Sequence, residues 1–404
     1  MNKILFVSQY FYPEEFRGND IAFDWVNRGD QVTVITAVPN YPFGKFFKGY
    51  GILKKNKEYI RGVEVIRVPV IPRGNGKGLM LMLNYLSFAF FSCIYAFKLS
   101  LTRKFDSVFV QQLSPVTMAL PGIVVKKMQR IPLILWVLDL WPESLTSAGN
   151  IKNKAVLWFF EKIVRIIYSN SDKILISSMG FESSIISKGD YTEKVKYFPN
   201  WAEDVFSETN FSIDIPELPN GFIIMFAGNV GEAQDFDNVL SAALLLKSKK
   251  QIKFVILGDG RKRAWIEKFC IENDLNETVY CLGRFPISSM PVFFQKADLM
   301  LVSLKDEPVF NLTLPAKIQA YMISGKPILG MMNGEGANVI NQSECGLCAR
   351  ASDSNELKDK ILELSKLSKV ELIELGQNGK VFAKKHFNKQ VLLDDLYSQI
   401  NLKY

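Results

Sequence analysis

Apolar runs of four to seven residues recur along this chain, each followed by a stretch that reads as helix, and the series occurs twice. The first series comprises Lys3–Gln9, Gln31–Ala37, Val63–Val68, Ser107–Gln111 and Leu133–Leu138. The second begins after the polar, proline-bearing segment 200–220 and comprises Phe222–Ala227, Lys253–Leu257, Val279–Leu282, Asp298–Val302 and Pro327–Gly330. Short apolar runs alternating with helices are what buried parallel strands require, because helices cover both faces of such a sheet. The pattern predicts an α/β chain of two consecutive Rossmann-like halves joined near 205–220. A single doubly wound core of 404 residues would exceed the usual size. In such sheets ligands are expected outside the carboxyl ends of the strands.

Apolar residues at 48% and charged residues at 22% lie near the globular average, which excludes disordered, collagen-like and coiled-coil chains. Five cysteines without a framework spacing point to a reducing compartment. After Lys3 the apolar run Ile4–Val7 is too short for the core of a secretory signal, so the expected location is cytosolic. Charge is unevenly placed. Residues 1–200 hold 26 Lys/Arg against 15 Asp/Glu, and residues 201–404 hold 23 against 26. A basic first half attracts phosphates, anionic membrane or nucleic acid, and the sign alone does not choose among them.

The run 79–97, LMLMLNYLSFAFFSCIYAF, carries no charge and is flanked by Arg73, Lys77, Lys98, Arg103 and Lys104. It is long enough to span a bilayer, yet Asn84, Ser87 and Ser92 interrupt it and strand-like sequence resumes at Ser107. The alternatives are a core helix or a helix partly buried and partly at a membrane interface, where basic flanks add attraction to anionic lipid.

Two glycine turns close successive strands of the second half. Ala227-Gly228-Asn229-Val230-Gly231 and Leu257-Gly258-Asp259-Gly260, the latter followed by Arg261 and Lys262, can bring backbone N–H groups and cations to one anionic ligand. A strand-to-helix turn also needs glycine for steric reasons. The segment 303–327 places Glu307 in a loop and Lys317 just after Pro315, which can open a helix that Gly325 ends. Such a loop can offer a carboxylate to sugar hydroxyls and a cation to a pyrophosphate. Asp235-Phe-Asp237 has the D-x-D form of metal-dependent transferases but sits where a helix starts, a capping position, so no metal is expected. Cys345-Gly-Leu-Cys348 lacks a second pair or a histidine and reads as core. The single histidine, His386, falls in the presumed final helix, which disfavours histidine-based chemistry.

These segments, with Asp139-Leu-Trp-Pro-Glu143, Gln9-Tyr-Phe-Tyr-Pro13 and Pro39-Asn-Tyr-Pro42, resemble the family 4 retaining glycosyltransferases of GT-B fold, and more narrowly the bacterial O-antigen and capsule N-acetylfucosamine transferases. The resemblance spans nearly the whole chain, with the motifs in family order. It implies two Rossmann-like domains facing a cleft: 1–205 binding the acceptor, 206–385 binding the nucleotide sugar, and a helix, 386–404, crossing back. It implies donor binding by Gly228, Asn229, Gly231, Gly258, Gly260, Arg261 and Lys317, acceptor binding by Arg17, Gly18, Asn19, Asn40 and Tyr41, and Glu307 acting on the sugar. Asp139, at a strand end, is the carboxylate expected at the acceptor hydroxyl, with a structural hydrogen bond as the alternative role. One position departs from the family pattern: Ala320, beside Gln319, stands where a second glutamate would hold the ribose.

The activity that the resemblance implies is transfer of a sugar, such as N-acetylfucosamine, from a nucleoside diphosphate donor, a UDP-sugar, to a polyprenyl-diphosphate-linked saccharide. It would proceed without cofactor, metal or nucleic acid, at the inner face of the plasma membrane. The competing readings are a nucleotide-sugar 2-epimerase of the same architecture and a non-catalytic membrane scaffold.

Overall fold

The computed structural model describes residues 1–76, 78–147, 151–207 and 213–400. Lys77 of the basic flank and residues 401–404 of the terminal segment lie outside them. The chain divides into two compact units, one of Met1–Pro199 with the residues from Leu393 onward, the other Asn200–Leu392.

In the first unit the strands are β1 (Lys3–Val7), β2 (Gln31–Ala37), β3 (Lys57–Ile60), β4 (Val63–Val68), β5 (Ser107–Gln112), β6 (Leu133–Val137), β7 (Lys173–Ile176) and β8 (Val195–Tyr197). They form one sheet in the order β3-β4-β2-β1-β5-β6-β7-β8, parallel except for the β3–β4 pair. Phe6 on β1, Phe109 on β5 and Trp25 of the helix Arg17–Asn27 are buried together, with Phe109 5.2 Å from both other rings. The chain starts on β1 and builds outward on both sides, so strand order reverses between β1 and β5. That is where a doubly wound sheet opens a crevice.

The second unit contains β9 (Phe222–Ala227), β10 (Ile252–Leu257), β11 (Val279–Gly283), β12 (Leu299–Ser303), β13 (Ile328–Met331) and β14 (Gly346–Ala349). Their order is β11-β10-β9-β12-β13-β14, all parallel, with the reversal between β9 and β12. Separate buried clusters lie on this sheet, one around Phe226, Phe236 and Ile256, the other around Met225, Ile318 and Tyr321. Both faces are therefore covered, which is why the strands read as continuous apolar runs.

The unit boundaries fall at Pro199/Asn200 and Leu392/Leu393, rather than at 205/206 and 385/386. The reason is local pairing. The Ala202 N–H donates to the Phe387 carbonyl at 2.9 Å, which ties the segment before β9 to a helix end of the second unit. The terminal helix, Lys389–Ile400, is fastened to the first unit by Arg28 on Asp394 at 2.5 Å and by Lys173 Nζ on the Gln399 carbonyl at 2.8 Å. His386 does not belong to that helix; it ends the preceding one, Lys369–His386, with its ring 4.4 Å from that of Phe382.

The run 79–97 lies within the 25-residue helix Gly78–Thr102, long and apolar enough by length and composition to cross a membrane. Its burial inverts the usual amphipathic arrangement. Asn84, Phe88, Ala89, Ser92, Ala96, Leu99 and Ser100 face the unit, whereas Leu79, Met82, Leu86, Phe90, Phe97 and Leu101 are exposed. Asn84 is the anchor: it accepts from Gln9 Nε2 at 2.7 Å and donates to the Ile71 carbonyl at 2.6 Å.

Candidate active site

In the second unit the turn after β9 packs backbone to backbone against the turn after β10. The Gly228 N–H donates to the Leu257 carbonyl and the Val230 N–H to the Asp259 carbonyl, both at 2.9 Å. A Cβ on Gly258 would lie 1.8 Å from the Gly228 carbonyl oxygen, so glycine is obligatory there. A Cβ on Gly260 would lie 2.3 Å from the Val230 carbonyl oxygen, also closer than any side chain allows. The amides of Gly228, Val230 and Gly258 thus serve the turn itself, the Gly258 N–H donating to the Gly283 carbonyl at 2.7 Å. Asn229 is exposed and Gly231 half-buried, opening the short turn Glu232–Gln234.

Lys317 reaches the same place from the helix Ala316–Ile323. That helix follows Pro315, whose extended backbone stands at its N-cap, and is pinned to β9 by Tyr321, whose hydroxyl accepts from the Ala227 N–H at 2.9 Å and donates to the Ala227 carbonyl at 3.0 Å. The Lys317 ammonium lies 3.6 Å from the centre of the Phe226 ring and donates to Gln234 Oε1 at 2.9 Å. Gln234 is held in turn, its carbonyl accepting from Ser303 Oγ at 2.5 Å. Among the described residues no carboxylate pairs with Lys317, and burial pushes its ammonium down to about 7. A half-buried cation with a neutral partner, at the strand-order reversal, is poised for an anion.

The other expected donor residues are less engaged. Arg261 is exposed, and its neighbour Lys262 is held by Asp237 at 2.9 Å. Asp235 is buried at the N-cap of the helix Phe236–Leu245 but makes no side-chain capping bond; its carboxylate accepts instead from Asn238 Nδ2 and Ser352 Oγ, while Asp237 pairs with Lys262. Glu307 is exposed at the entry of the helix Pro308–Leu312, while the adjacent Asp306 accepts from Asn311 and Asn333, each at 3.0 Å, which holds its carboxyl low. Ala320 is half-buried, and the side chain of Gln319 is fully buried with no hydrogen-bond partner among the described residues; neither residue type carries a carboxylate to stand in for the second glutamate. Cys345 and Cys348 are free thiols raised by burial to about 11 and about 12, as core residues are.

In the first unit, residues expected to bind acceptor converge through one the sequence reading did not single out. Glu14, buried in the loop after β1, accepts on one carboxylate oxygen from the Asn40 N–H at 2.8 Å and the Tyr41 N–H at 2.6 Å. Its carbonyl accepts from Asn19 Nδ2 at 2.8 Å, and Asn19 Oδ1 accepts from the Tyr12 N–H. Burial raises the Glu14 carboxyl to about 7 against the pull of those N–H donors and of Arg67. Tyr10 stacks on Phe16 at 4.9 Å and meets Tyr41 edge-on at 5.7 Å. Gly18 lets the Gln111 side chain approach closely, and Arg17 begins the helix Arg17–Asn27.

Asp139, after β6, accepts from Ser114 Oγ, Ser144 Oγ and Trp141 Nε1. Burial raises its carboxyl despite these three donors. The geometry gives Asp139 the structural role of a loop hub, one of the two roles open for it from sequence. Ser114 connects it to the aromatic cluster, since the Ser114 carbonyl accepts from the Tyr10 hydroxyl at 3.4 Å. A buried acid with one oxygen engaged, as at Glu14, has no motif of its own. Only its place after Tyr12-Pro13 could have drawn attention to it.

Residues 221–366 match the family described as glycosyl transferases group 1. A probable glycosyltransferase, WbjE, of Pseudomonas aeruginosa is 26% identical over 331 residues, 80% of this chain and 81% of that protein. An uncharacterized glycosyltransferase, MJ1178, of Methanocaldococcus jannaschii is 30% identical over 267 residues, 65% of this chain and 67% of its own length. The chain belongs to the glycosyltransferases. A putative colanic acid biosynthesis glycosyl transferase, WcaI, of Escherichia coli K12 is 27% identical over 315 residues, 74% of each chain. This glycosyltransferase also superposes on a solved structure, Anabaena HepE in complex with UDP and glucose, with a TM-score of 0.66 at 15% identity over the full length of both. Its fold is GT-B, two Rossmann-like parallel-sheet domains. As an enzyme of this family it is a transferase, which sets aside the scaffold and epimerase readings.

Proposed function

We propose that this glycosyltransferase moves a sugar from a nucleoside diphosphate, UDP, to a polyprenyl-diphosphate-linked saccharide in bacterial surface polysaccharide synthesis. The observation that carries the donor reading is Lys317: its ammonium stands at the end of β9 with Gln234 rather than a carboxylate as partner. A departing nucleoside diphosphate accumulates negative charge, and a cation fixed beforehand stabilises it without reorganisation. Exposed Arg261 adds a second cation beside the turns, and exposed Glu307 is free to bind sugar hydroxyls. The similarity to WcaI, named for colanic acid biosynthesis, and to HepE, solved with UDP and glucose, supports the pathway and the donor. An N-acetylated deoxysugar such as N-acetylfucosamine, and retention of anomeric configuration, follow the resemblance of the motifs.

The acceptor reading rests on the first unit: its basic charge, the Tyr10–Phe16–Tyr41 ring cluster and the outward apolar face of Gly78–Thr102. That face would lie in the cytoplasmic leaflet, with Lys98 and Lys104 exposed toward anionic headgroups. Arg103 does not share that role. It pairs with Glu64, whose carboxyl is held down to about 2 by Arg103 and Lys57 against its burial.

The test is a screen of UDP-sugars against polyprenyl-diphosphate-linked saccharides, with product linkage read by NMR. Transfer to the lipid-linked acceptor with the donor's anomeric configuration kept is the expected result. Turnover of donor with water or no acceptor as the sole activity would refute it.

A further inference from the structure

The segment after Pro42 reads Phe43-Gly-Lys-Phe-Phe-Lys-Gly-Tyr-Gly-Ile-Leu-Lys-Lys55, four lysines among aromatic and aliphatic residues without one carboxylate. In the fold it forms a groove of about 430 Å³ lined by Pro13, Phe43, Lys45, Phe46, Phe47, Lys48 and Tyr50. The walls are apolar and the two cations stand among them.

The groove is built on fixed backbone rather than on a loose loop. The Gly44 N–H donates to the Asn40 carbonyl at 2.8 Å, Phe47 N–H to the Pro39 carbonyl at 3.1 Å, and Tyr50 N–H to the Phe47 carbonyl at 3.0 Å. The Tyr50 ring takes the Arg67 guanidinium at 4.8 Å and the Lys55 ammonium at 4.7 Å from its centre. Arg67 donates to the Tyr12 carbonyl at 2.6 Å, next to the Pro13 wall. The Gly74 N–H donates to the Gly44 carbonyl at 2.9 Å, and Gly74 abuts Met80, so the groove adjoins the first turn of the helix Gly78–Thr102. Through Asn40 and Tyr41 it is also continuous with the Glu14 contact.

Phe43 is 65% exposed and Leu53 91% exposed. Among the described residues neither Lys45 nor Lys48 is in an ion pair, so an occupant must bring the negative charge. Apolar walls call for hydrocarbon, and two ammonium groups call for a phosphate or diphosphate. We propose that this groove binds the lipid end of the acceptor, an isoprenyl diphosphate, with Lys45 and Lys48 on the diphosphate and the first isoprene units along Phe43, Phe46, Phe47 and Tyr50. The inference rests on the lipid-linked acceptor reading, and names the part of the first unit that receives it.

Calorimetric titration of the full chain tests it with soluble probes: farnesyl diphosphate, farnesol, inorganic pyrophosphate and, separately, UDP. Farnesyl diphosphate should bind at least tenfold more tightly than farnesol or pyrophosphate. Lys45→Gln with Lys48→Gln should weaken it at least tenfold, as should Phe46→Ser, with UDP affinity unchanged in both variants. Equal farnesyl diphosphate affinity in wild type and the double lysine variant overturns the proposal. So does binding of wild type to phosphatidylglycerol vesicles without binding of soluble farnesyl diphosphate, since the surface then serves the bilayer. UDP reports separately on the second unit: loss of UDP binding with farnesyl diphosphate binding intact refutes the donor reading and supports the groove.

Discussion

A Cβ added to Gly228 would lie 2.6 Å from Cε of Lys317. The turn after β9 and the helix Ala316–Ile323 are thereby matched at one point, the lysine stem lying where any side chain at 228 would be. Gly228→Ala must displace Lys317, all the more because the backbone at 228 has φ 136°. The expected outcome is at least tenfold weaker UDP binding with the fold retained, as read by calorimetry and circular dichroism. Unchanged UDP affinity would show that the position of the ammonium does not matter to the donor.

Lys317→Ala removes the cation and should reduce donor affinity or transition-state stabilisation by ~1.5–3 kcal/mol, a charge-assisted contact. The wild-type lysine also predicts a proton linkage. With its ammonium lowered to about 7 by burial, the free enzyme holds it largely neutral at pH 8.5, and a bound diphosphate would restore the charge. UDP binding should therefore take up nearly one proton at pH 8.5, where the UDP phosphates are fully ionised, and less as pH falls below 7, where Lys317 is already charged and the terminal phosphate of UDP begins to give up its own proton on binding. Titration in buffers of different ionisation enthalpy measures this, and uptake should vanish in Lys317→Met. A pH-independent proton count in wild type would refute the linkage.

Glu307→Gln preserves size and removes charge at an exposed position that makes no capping bond. UDP should bind nearly as before while transfer falls at least tenfold, because the carboxylate is assigned to the sugar. A parallel loss of UDP affinity would move Glu307 to the nucleotide.

Glu14 gives a stability prediction with a definite sign. Its folded carboxyl is raised to about 7 by burial, so between the unfolded value near 4.5 and pH 7 the folded state holds the proton more firmly. Stability from this group is full below about pH 4.5 and is lost as pH rises to about 7, by on the order of 3 kcal/mol. Glu14→Gln lacks that loss, so its stability relative to wild type should rise by that order between pH 4.5 and pH 8 in urea unfolding. A constant difference across the range would contradict the raised carboxyl.

The outward face of Gly78–Thr102 predicts vesicle binding. Burial of apolar side chains contributes ~25 cal/mol per Å² and each nearby lysine about 1 kcal/mol. Leu79, Leu86 and Phe90, at 64%, 50% and 61% exposure, can be replaced by Gln without emptying the core. Sedimentation with phosphatidylglycerol vesicles should show release of this triple variant and of Lys98→Gln with Lys104→Gln. Arg103→Gln should instead lower stability, since it breaks the Glu64 pair. Wild-type protein that stays in the supernatant would refute the membrane assignment.

Ten of the strands, the helix over 79–97 and the turns at Gly228 and Gly258 were legible in sequence, because a parallel strand covered on both faces must be apolar throughout and a tight turn must be glycine. β3, β7, β8 and β14 were not: three or four residues are too few for periodicity to separate strand from loop, and β13, equally short, was legible only because Gly325 and Pro327 mark the helix end before it. Lys317 was marked by its place after Pro315, but its partner Gln234 lies 83 positions away, and no local pattern encodes that contact. Glu14 was invisible for the same reason: one acid beside Pro13 acquires meaning only when Asn40 and Tyr41 turn their N–H groups onto it. The charge of a side chain is written in the sequence, whereas its desolvation depends on which distant segments close over it. Sequence alone thus determined two parallel-sheet halves and the chemical types present at the strand ends. Tertiary structure decided which of those groups are spent on the fold, as at Asp139 and Arg103, and which are half-buried, among the described residues, without a partner of opposite charge, as at Lys317.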